Sequence, residues 1–219
     1  MQGNDVSGLG VIEVRWKGQG EMISGDYTVH YSGGELDERG VAIVVHKSVV
    51  RRVVKKIVCN DRIIALKLKA EQVDILIMQV YMPTSDYEID EMEKCMTQLK
   101  KFFRKMTEVT TASIILGDWN SIVGDEPYQN IFGLHGLKRR NHKGQMLIDL
   151  CERNGLIVTN TWFKKPKIRL YTWKAPGDWR RHQPDYILVK HRFRNSVKNV
   201  KTLPGADIDS DDNLLVAKF

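Results

Sequence analysis

Nine short runs rich in β-branched and aromatic residues stand against two segments of helical periodicity, and that imbalance confines the chain to a sheet-dominated α/β architecture. The runs are Leu9-Val14, Tyr27-Tyr31, Val41-Val45, Ile63-Leu68, Ile75-Val80, Ser113-Leu116, Leu156-Thr159, Tyr186-Val189 and Leu214-Ala217. Several are continuously apolar, as strands buried on both faces are. The first helix is predicted from about Ile89 to Met106, where Met92, Met96, Leu99, Phe103 and Met106 recur three or four residues apart and Ser85 or Asp86 is placed to cap it. The second is predicted from about Lys143 to Asn154, with Met146, Leu147, Leu150 and Cys151 as its stripe and Gly155 as its left-handed stop. Each helix is followed directly by a strand, which predicts two packed sheets with helices outside rather than a regular βαβ repeat.

Nothing in the 219 residues reads as a linker, a low-complexity tract or an internal repeat, so one domain spanning 1–219 is expected. The longest apolar stretches, such as Val73 to Tyr81, are about half the roughly 20 residues that a bilayer-spanning helix needs, and the N-terminus lacks a charged and then apolar signal pattern. Membrane insertion and secretion are therefore not expected. Cys59, Cys95 and Cys151 are odd in number and contain no C-x-x-C pair, which excludes a disulfide framework and a zinc ribbon and points to a reducing, intracellular compartment. A net charge of +7 and a pI near 9.2 favour a partner that carries phosphates.

Carboxylates and phenols fall at the ends of the apolar runs. Glu13 follows Val11-Ile12, Tyr81 follows Leu76 to Val80, Asp118 and Asn120 follow Ile114-Ile115-Leu116-Gly117, and Asp185 opens Tyr186-Ile187-Leu188. A further acidic group, Asp207, Asp209, Asp211 and Asp212, precedes the last run. Acids at neighbouring strand ends can converge on one rim, which is how hard oxygen ligands are assembled for Mg²⁺. Each residue also has a plainer reading. Glu13 equally fits a solvent-facing strand position paired with Arg15. Asp118 and Asn120 fit an Asx turn, and Asp185 a partner of Arg180 or Arg181. Tyr81 fits an edge position with its hydroxyl in water, and Asp207 to Asp212 a solvated turn.

The order Glu13, Tyr81-Met82-Pro83-Thr84, Gly117-Asp118-Trp119-Asn120, Pro184-Asp185-Tyr186 and Ser210-Asp211 resembles the endonuclease/exonuclease/phosphatase superfamily. Within it the similarity is to the apurinic-site-like endonuclease domain of non-LTR (LINE) retrotransposons of the RTE type. Val11 to Trp16, Asn141 to Gln145, Leu170 to Trp173 and Pro204 to Asp207 add to it, and it covers essentially the whole chain. The resemblance implies a DNase I-like four-layer α/β sandwich, two mixed sheets flanked by helices, and Mg²⁺-dependent hydrolysis of a DNA phosphodiester, with Mn²⁺ as an alternative metal. It implies Glu13 and Asp211 as metal ligands, Asp118 as the residue that orients or deprotonates the attacking water, and Asn120 as its hydrogen-bonding companion. Tyr81 matches the phenol near the scissile phosphate, and Asp185 the aspartate that holds a catalytic histidine. That chemistry suits the residue types: a metal neutralises charge on the phosphate, a carboxylate positions water, and amide and phenol donors stabilise the equatorial oxygens. The family implies a nick that leaves a 3′ hydroxyl and a 5′ phosphate.

The chain departs from the family pattern in two places. Where the terminal Ser-Asp-His motif is expected it reads Ser210-Asp211-Asp212-Asn213, so Asp212 stands in the place of the catalytic histidine, and none of the six histidines is in register to substitute. A carboxylate there is repelled by the phosphate and by Asp185, which predicts hydrolysis reduced by about 10⁴-fold or more. The family usually begins with a strand that supports the metal site and then a helix, whereas this chain opens almost at the Glu13 strand; the first strand is expected to be missing.

Basic residues cluster in Arg51-Arg52 with Lys55-Lys56, Lys138-Arg139-Arg140 with Lys143, Lys164-Lys165 with Lys167 and Arg169, and Arg180-Arg181. The last three clusters surround Trp162, Phe163, Tyr171, Trp173 and Trp179, a combination that neutralises phosphates and stacks on or wedges between bases. With the family motifs this gives Asn141, Lys143, Thr172, Trp173, Arg180 and Arg181 as expected contacts to double-stranded DNA. The plainer reading is a solvated charged loop with its aromatics in the core. Lys100, Lys101, Arg104 and Lys105 read as the wet face of the first helix, and Arg51 to Lys56 as a strand edge guarded by charge. The expectation is a monomeric, impaired endonuclease domain of retrotransposon origin, nuclear if it acts on chromosomal DNA. A non-catalytic DNA-binding module and a phosphoesterase for small phosphorylated substrates are the alternatives.

Overall fold

The computed structural model describes residues 6–84, 89–106, 111–175, 177, 180–204 and 212–219. Its contacts divide into two units, Met1–Gly117 and Asp118–Phe219. The chain is a mixed α/β fold with several sheets and few helices. Among the described residues no helix is long and apolar enough to cross a membrane.

The first unit contains β1 (Gly8–Ile12), β2 (Gln19–Ser24), β3 (Tyr27–Ser32), β4 (Val41–His46), the short α1 (Lys47–Val50), β5 (Val53–Asn60), β6 (Ile63–Leu68), β7 (Ile75–Tyr81), α2 (Ile89–Met106) and β8 (Ala112–Asp118), of which only the last residue falls in the second unit. One sheet has the order β1-β4-β3-β2, and β5, β6, β7 and β8 are successive neighbours in another. Strand alternation sends Val41, Ile43 and Val45 of β4 and Ile64, Leu66 and Leu68 of β6 into one core together with Tyr81, so the two sheets bury their facing sides against each other. Ile63 and Ala65 of β6, and Met78 and Val80 of β7, lie on the alternate face and are also buried. This double burial is why both strands read as continuous apolar runs.

Helix α2 has the predicted bounds and buries Met92, Cys95, Met96, Leu99 and Phe103. Lys101, Arg104 and Lys105 are on its wet face. Asn60 Nδ2 donates to Gln98 Oε1 at 2.8 Å and Arg62 donates to Glu91 Oε1 at 2.9 Å, fastening the helix to the β5–β6 hairpin. The caps proposed at Ser85 and Asp86 lie outside the described residues.

The second unit holds α3 (His142–Asn154), β9 (Leu156–Val158), β10 (Trp173–Lys174), β11 (Arg181–His182), β12 (Asp185–Lys190), β13 (Asn199–Leu203) and β14 (Leu214–Lys218). The strands pair antiparallel as β9 with β12, β10 with β11, and β13 with β14. Helix α3 starts one residue before the predicted position. Asn141 is its N-cap, accepting from Gly144 N at 2.7 Å, and Gly155 closes it at φ 61° in the left-handed region. Leu147, Ile148, Leu150 and Cys151 on α3, β9 and Tyr186 to Val189 on β12 are buried.

Candidate active site and nucleic-acid surface

In the first unit, Glu13 lies one residue beyond β1 rather than within a strand, which corrects the expected run to Val14. Glu13 and Arg15 both adopt positive φ, 52° and 53°. Val14 N donates to Gly40 O at 3.3 Å and Arg15 N to Arg39 O at 2.9 Å, so the kinked segment is held by backbone bonds. Left-handed conformations cost non-glycine residues about 1–2 kcal/mol each and persist where the surroundings over-determine them. The kink delivers the carboxylate to β7: Tyr81 Oη donates to Glu13 Oε1 at 2.7 Å, while Glu13 Oε2 pairs with Arg15 at 3.2 Å. Tyr81 is itself locked, with the Arg62 guanidinium 5.3 Å from its ring centroid and donating to Tyr81 O at 3.3 Å, and with Tyr81 N donating to Arg62 O at 2.9 Å. Glu13 keeps 43% of its side-chain surface exposed. The plain pairing with Arg15 therefore exists, and the phenol contact exists beside it.

In the second unit, Asp118 and Asn120 form the Asx turn that their residue types favour. Asn120 N donates to Asp118 Oδ1 at 2.8 Å, and Asn120, at φ 45°, turns its side-chain amide back to Asp118 Oδ2 at 3.0 Å. Trp119 between them is fully buried, with its backbone N donating to Pro184 O at 2.9 Å and Nε1 to Tyr186 O at 3.2 Å. Burial pushes the Tyr186 phenol up, keeping it neutral; its oxygen accepts from Val123 N at 3.3 Å and donates to Ser121 O at 3.4 Å. The turn is thus fixed to β12, the strand that Asp185 opens.

Asp185 is gripped from two sides. Thr172 Oγ1, fully buried, accepts from Asp185 N at 3.3 Å, and Asn160 Nδ2 donates to Asp185 O at 2.9 Å while its Oδ1 accepts from Ile187 N at 3.0 Å. Burial first, then the Asp118 carboxylate and, more weakly, Asp212 push the Asp185 carboxyl well above the usual carboxylate range, against a hydrogen bond with Thr172. Asp212 forms an antiparallel bridge with Trp173, and Asn213 N donates to Thr172 O at 2.6 Å. Asp118 and Asp212 therefore both act on Asp185, and Thr172 links Asp185 to the Asp212–Asn213 segment. Asn160 escaped the sequence reading; the signal was a polar Thr159-Asn160-Thr161 run at the end of an apolar strand.

The residues expected to contact DNA separate on inspection. Arg181 and Arg180 are exposed, Arg181 lying 4.6 Å from the Tyr171 ring centroid, and Trp173 packs on His182 at 5.5 Å. Thr172 is buried and Lys143 is 4% exposed. Asn141 Oδ1 is engaged by Gly144 N and by Ile122 N at 3.1 Å. Arg140 donates to Val123 O at 3.0 Å and to Gln145 Oε1 at 3.1 Å and lies over Phe132 at 5.0 Å, so this half-buried member of the basic cluster is engaged within the unit.

Asp211 lies outside the described residues, as does Trp179. Among the described residues no three His, Cys, Asp or Glu side chains gather to hold a metal ion. Glu13 fits a hard divalent cation by donor type, since its oxygens are carboxylate, partly exposed and already oriented by Tyr81.

No protein-family profile matches the chain. Solved structures that share its fold include two that act on nucleic acid or carry it. The endonuclease domain of TRAS1, a telomere-specific non-LTR retrotransposon, is 16% identical with a TM-score of 0.64 over 88% of this chain and 80% of that one. The 3′ phosphatase NExo from Neisseria, a variant bound to a product DNA hairpin, is 18% identical with a TM-score of 0.63 over 89% and 79%. The chain therefore has the mixed α/β, DNase I-like fold of these structures. In sequence the chain is homologous to craniofacial development protein 2 from Bos taurus, 39% identical over 212 residues, which are 96% of this chain and 36% of that protein. The chain thus spans about a third of the length of the curated relative it matches.

Proposed function

We propose that the chain is a metal-dependent DNA endonuclease domain of retrotransposon descent whose hydrolysis is impaired by Asp212. The observation that carries the reading is the Asp118–Asn120 turn fixed beside Asp185, a carboxylate and an amide presented by a backbone conformation that costs energy to hold. The fold of a retrotransposon endonuclease and of a phosphatase bound to a DNA product supports a phosphodiester in DNA as the substrate class.

Asp118 would orient the attacking water and take its proton, with Asn120 fixing the carboxylate's orientation through a hydrogen bond to each oxygen. Tyr81 would stand near the scissile phosphate, its one hydroxyl proton turning from Glu13 to a phosphate oxygen as the substrate binds, and Trp173, Arg180 and Arg181 would bind the DNA backbone. Lys143, Asn141 and Thr172, being buried or engaged, would act by holding the loops that carry these groups. Glu13 and Asp211 would hold a divalent ion, Mg²⁺ or Mn²⁺, which when bound supplies charge neutralisation at the phosphate. With a carboxyl at 212 the neighbourhood contains three acids where an imidazole would give a donor and a counter-charge for Asp185. The missing donor and the added repulsion of phosphate support a loss of about 10⁴-fold. The same crowding favours a second reading, a DNA-binding module that no longer hydrolyses.

Nicking of supercoiled plasmid with Mg²⁺ tests the proposal. Slow nicking that leaves ligatable ends and disappears in Asp118→Ala is expected; a rate that Asp118→Ala leaves untouched would overturn it.

A further inference from the structure

Strand β11, the residue before it and the loop before α3 bring Lys138, His182 and Arg180 together. Lys138 sits at φ 65°, a conformation strained for any residue with a Cβ, and its carbonyl is pinned by Asp125 N at 3.0 Å. Its Nζ lies 3.2 Å from both ring nitrogens of His182. The His182 ring is backed by Trp173 at 5.5 Å on the paired strand, and Arg180 approaches from the chain two residues earlier. The charged groups that act on His182 among the described residues, Lys138 and Arg180, are both cations. Burial and these two cations hold the His182 imidazole below its ordinary range, and burial and Arg180 do the same to Lys138. A neutral imidazole tolerates the Lys138 ammonium against its ring; a protonated one is repelled by it.

We propose that Lys138, His182 and Arg180 form a subsite for a DNA backbone phosphate, and that His182 takes up a proton as that phosphate binds. The inference rests on DNA being the partner and deepens that reading. A phosphodiester oxyanion complements the cations of the site: it accepts from Lys138 and Arg180, and it favours the protonated imidazole, which becomes a third donor. Thr172 N donates to His182 O at 2.9 Å, so this subsite is one residue from the side chain that grips Asp185. A phosphate held there fixes the register of the strand relative to the reacting centre.

The sign of the pH dependence follows. The ring's midpoint is low in the free protein and higher in the complex, so affinity increases as pH falls through the bound midpoint and levels off below the free one. Uptake of one proton gives at most about a tenfold change in affinity per pH unit in that window. Duplex binding measured at constant ionic strength from pH 8 to pH 5.5 should strengthen far more for the unmodified chain than for His182→Gln. In parallel, the His182 ring resonance should titrate at higher pH with duplex present than without. An equal pH response in both proteins, or a ring midpoint that DNA leaves in place, overturns the subsite. Absence of duplex binding at every pH overturns the DNA reading with it. Binding that persists with an unchanged His182 midpoint overturns the subsite alone.

Discussion

Asp185 carries the clearest tension at the scale of single residues. Its carboxyl is partly buried, faces Asp118 and Asp212, and is held well above its ordinary range, burial being the first cause. In the unfolded chain the same group ionises at the usual pH for an aspartate. The folded state therefore binds the proton more tightly, and stability is greatest below the ordinary carboxylate range. It declines as pH climbs toward the folded midpoint, and above that point the full penalty remains. Asp185→Asn removes the ionisation and keeps the shape, so at pH 7 it should stabilise the protein by about 1 kcal/mol, roughly 2–4 °C in Tm for a chain of this size. The gain should shrink toward pH 4, as thermal unfolding followed by circular dichroism at the two pH values would read. A gain that is independent of pH would place its origin elsewhere than in the carboxyl's proton.

At the scale of elements, the N-terminus of α3 is where propensity and packing disagree. A Cβ on Gly144 would stand 1.9 Å from Ile122 O and 2.5 Å from Ile122 C, both backbone atoms. Helix propensity alone makes Gly144→Ala stabilising by about 1 kcal/mol. The clash forces the helix away from the segment that follows Asn120 and costs about 3 kcal/mol, the upper range for overpacking, so the substitution should be net destabilising. A urea midpoint lower than that of the unmodified chain is expected; a higher one would mean that the contact is looser than its geometry. Elements were legible in the sequence in proportion to how strongly their burial patterned them. Helix α2 matches its prediction residue for residue because its buried methionines, Leu99 and Phe103 mark the helical period. Strand β2 was not read at all, since Gln19–Ser24 is mostly exposed and is held by backbone pairing with β3, which leaves no apolar alternation. The same holds for β10 and β11, two residues each, while β13 alternates Val200 and Thr202 too briefly to stand out.

At the scale of the whole molecule, the acids at strand ends were readable as residue types, but their partners were not. Nothing in sequence spacing announces that Tyr81 reaches Glu13 across 68 positions, or that Asn160 and Thr172 grip Asp185. These contacts are products of strand order and of a strained kink, both set by tertiary packing. The positive net charge likewise resolves into a buried Lys143, a half-buried Arg140 and an exposed Arg180 and Arg181. What joins these scales is position 212: a DNase I-like fold that presents the Asp118–Asn120 turn and has Asp212 where the resemblance places an imidazole. The direct measurement is the rate of Mg²⁺-dependent plasmid nicking by Asp212→His relative to the unmodified chain, with thermal unfolding confirming that both are folded. An increase of about 10³–10⁴-fold that Asp118→Ala abolishes is predicted. A folded Asp212→His protein that nicks no faster than the unmodified chain would contradict the account.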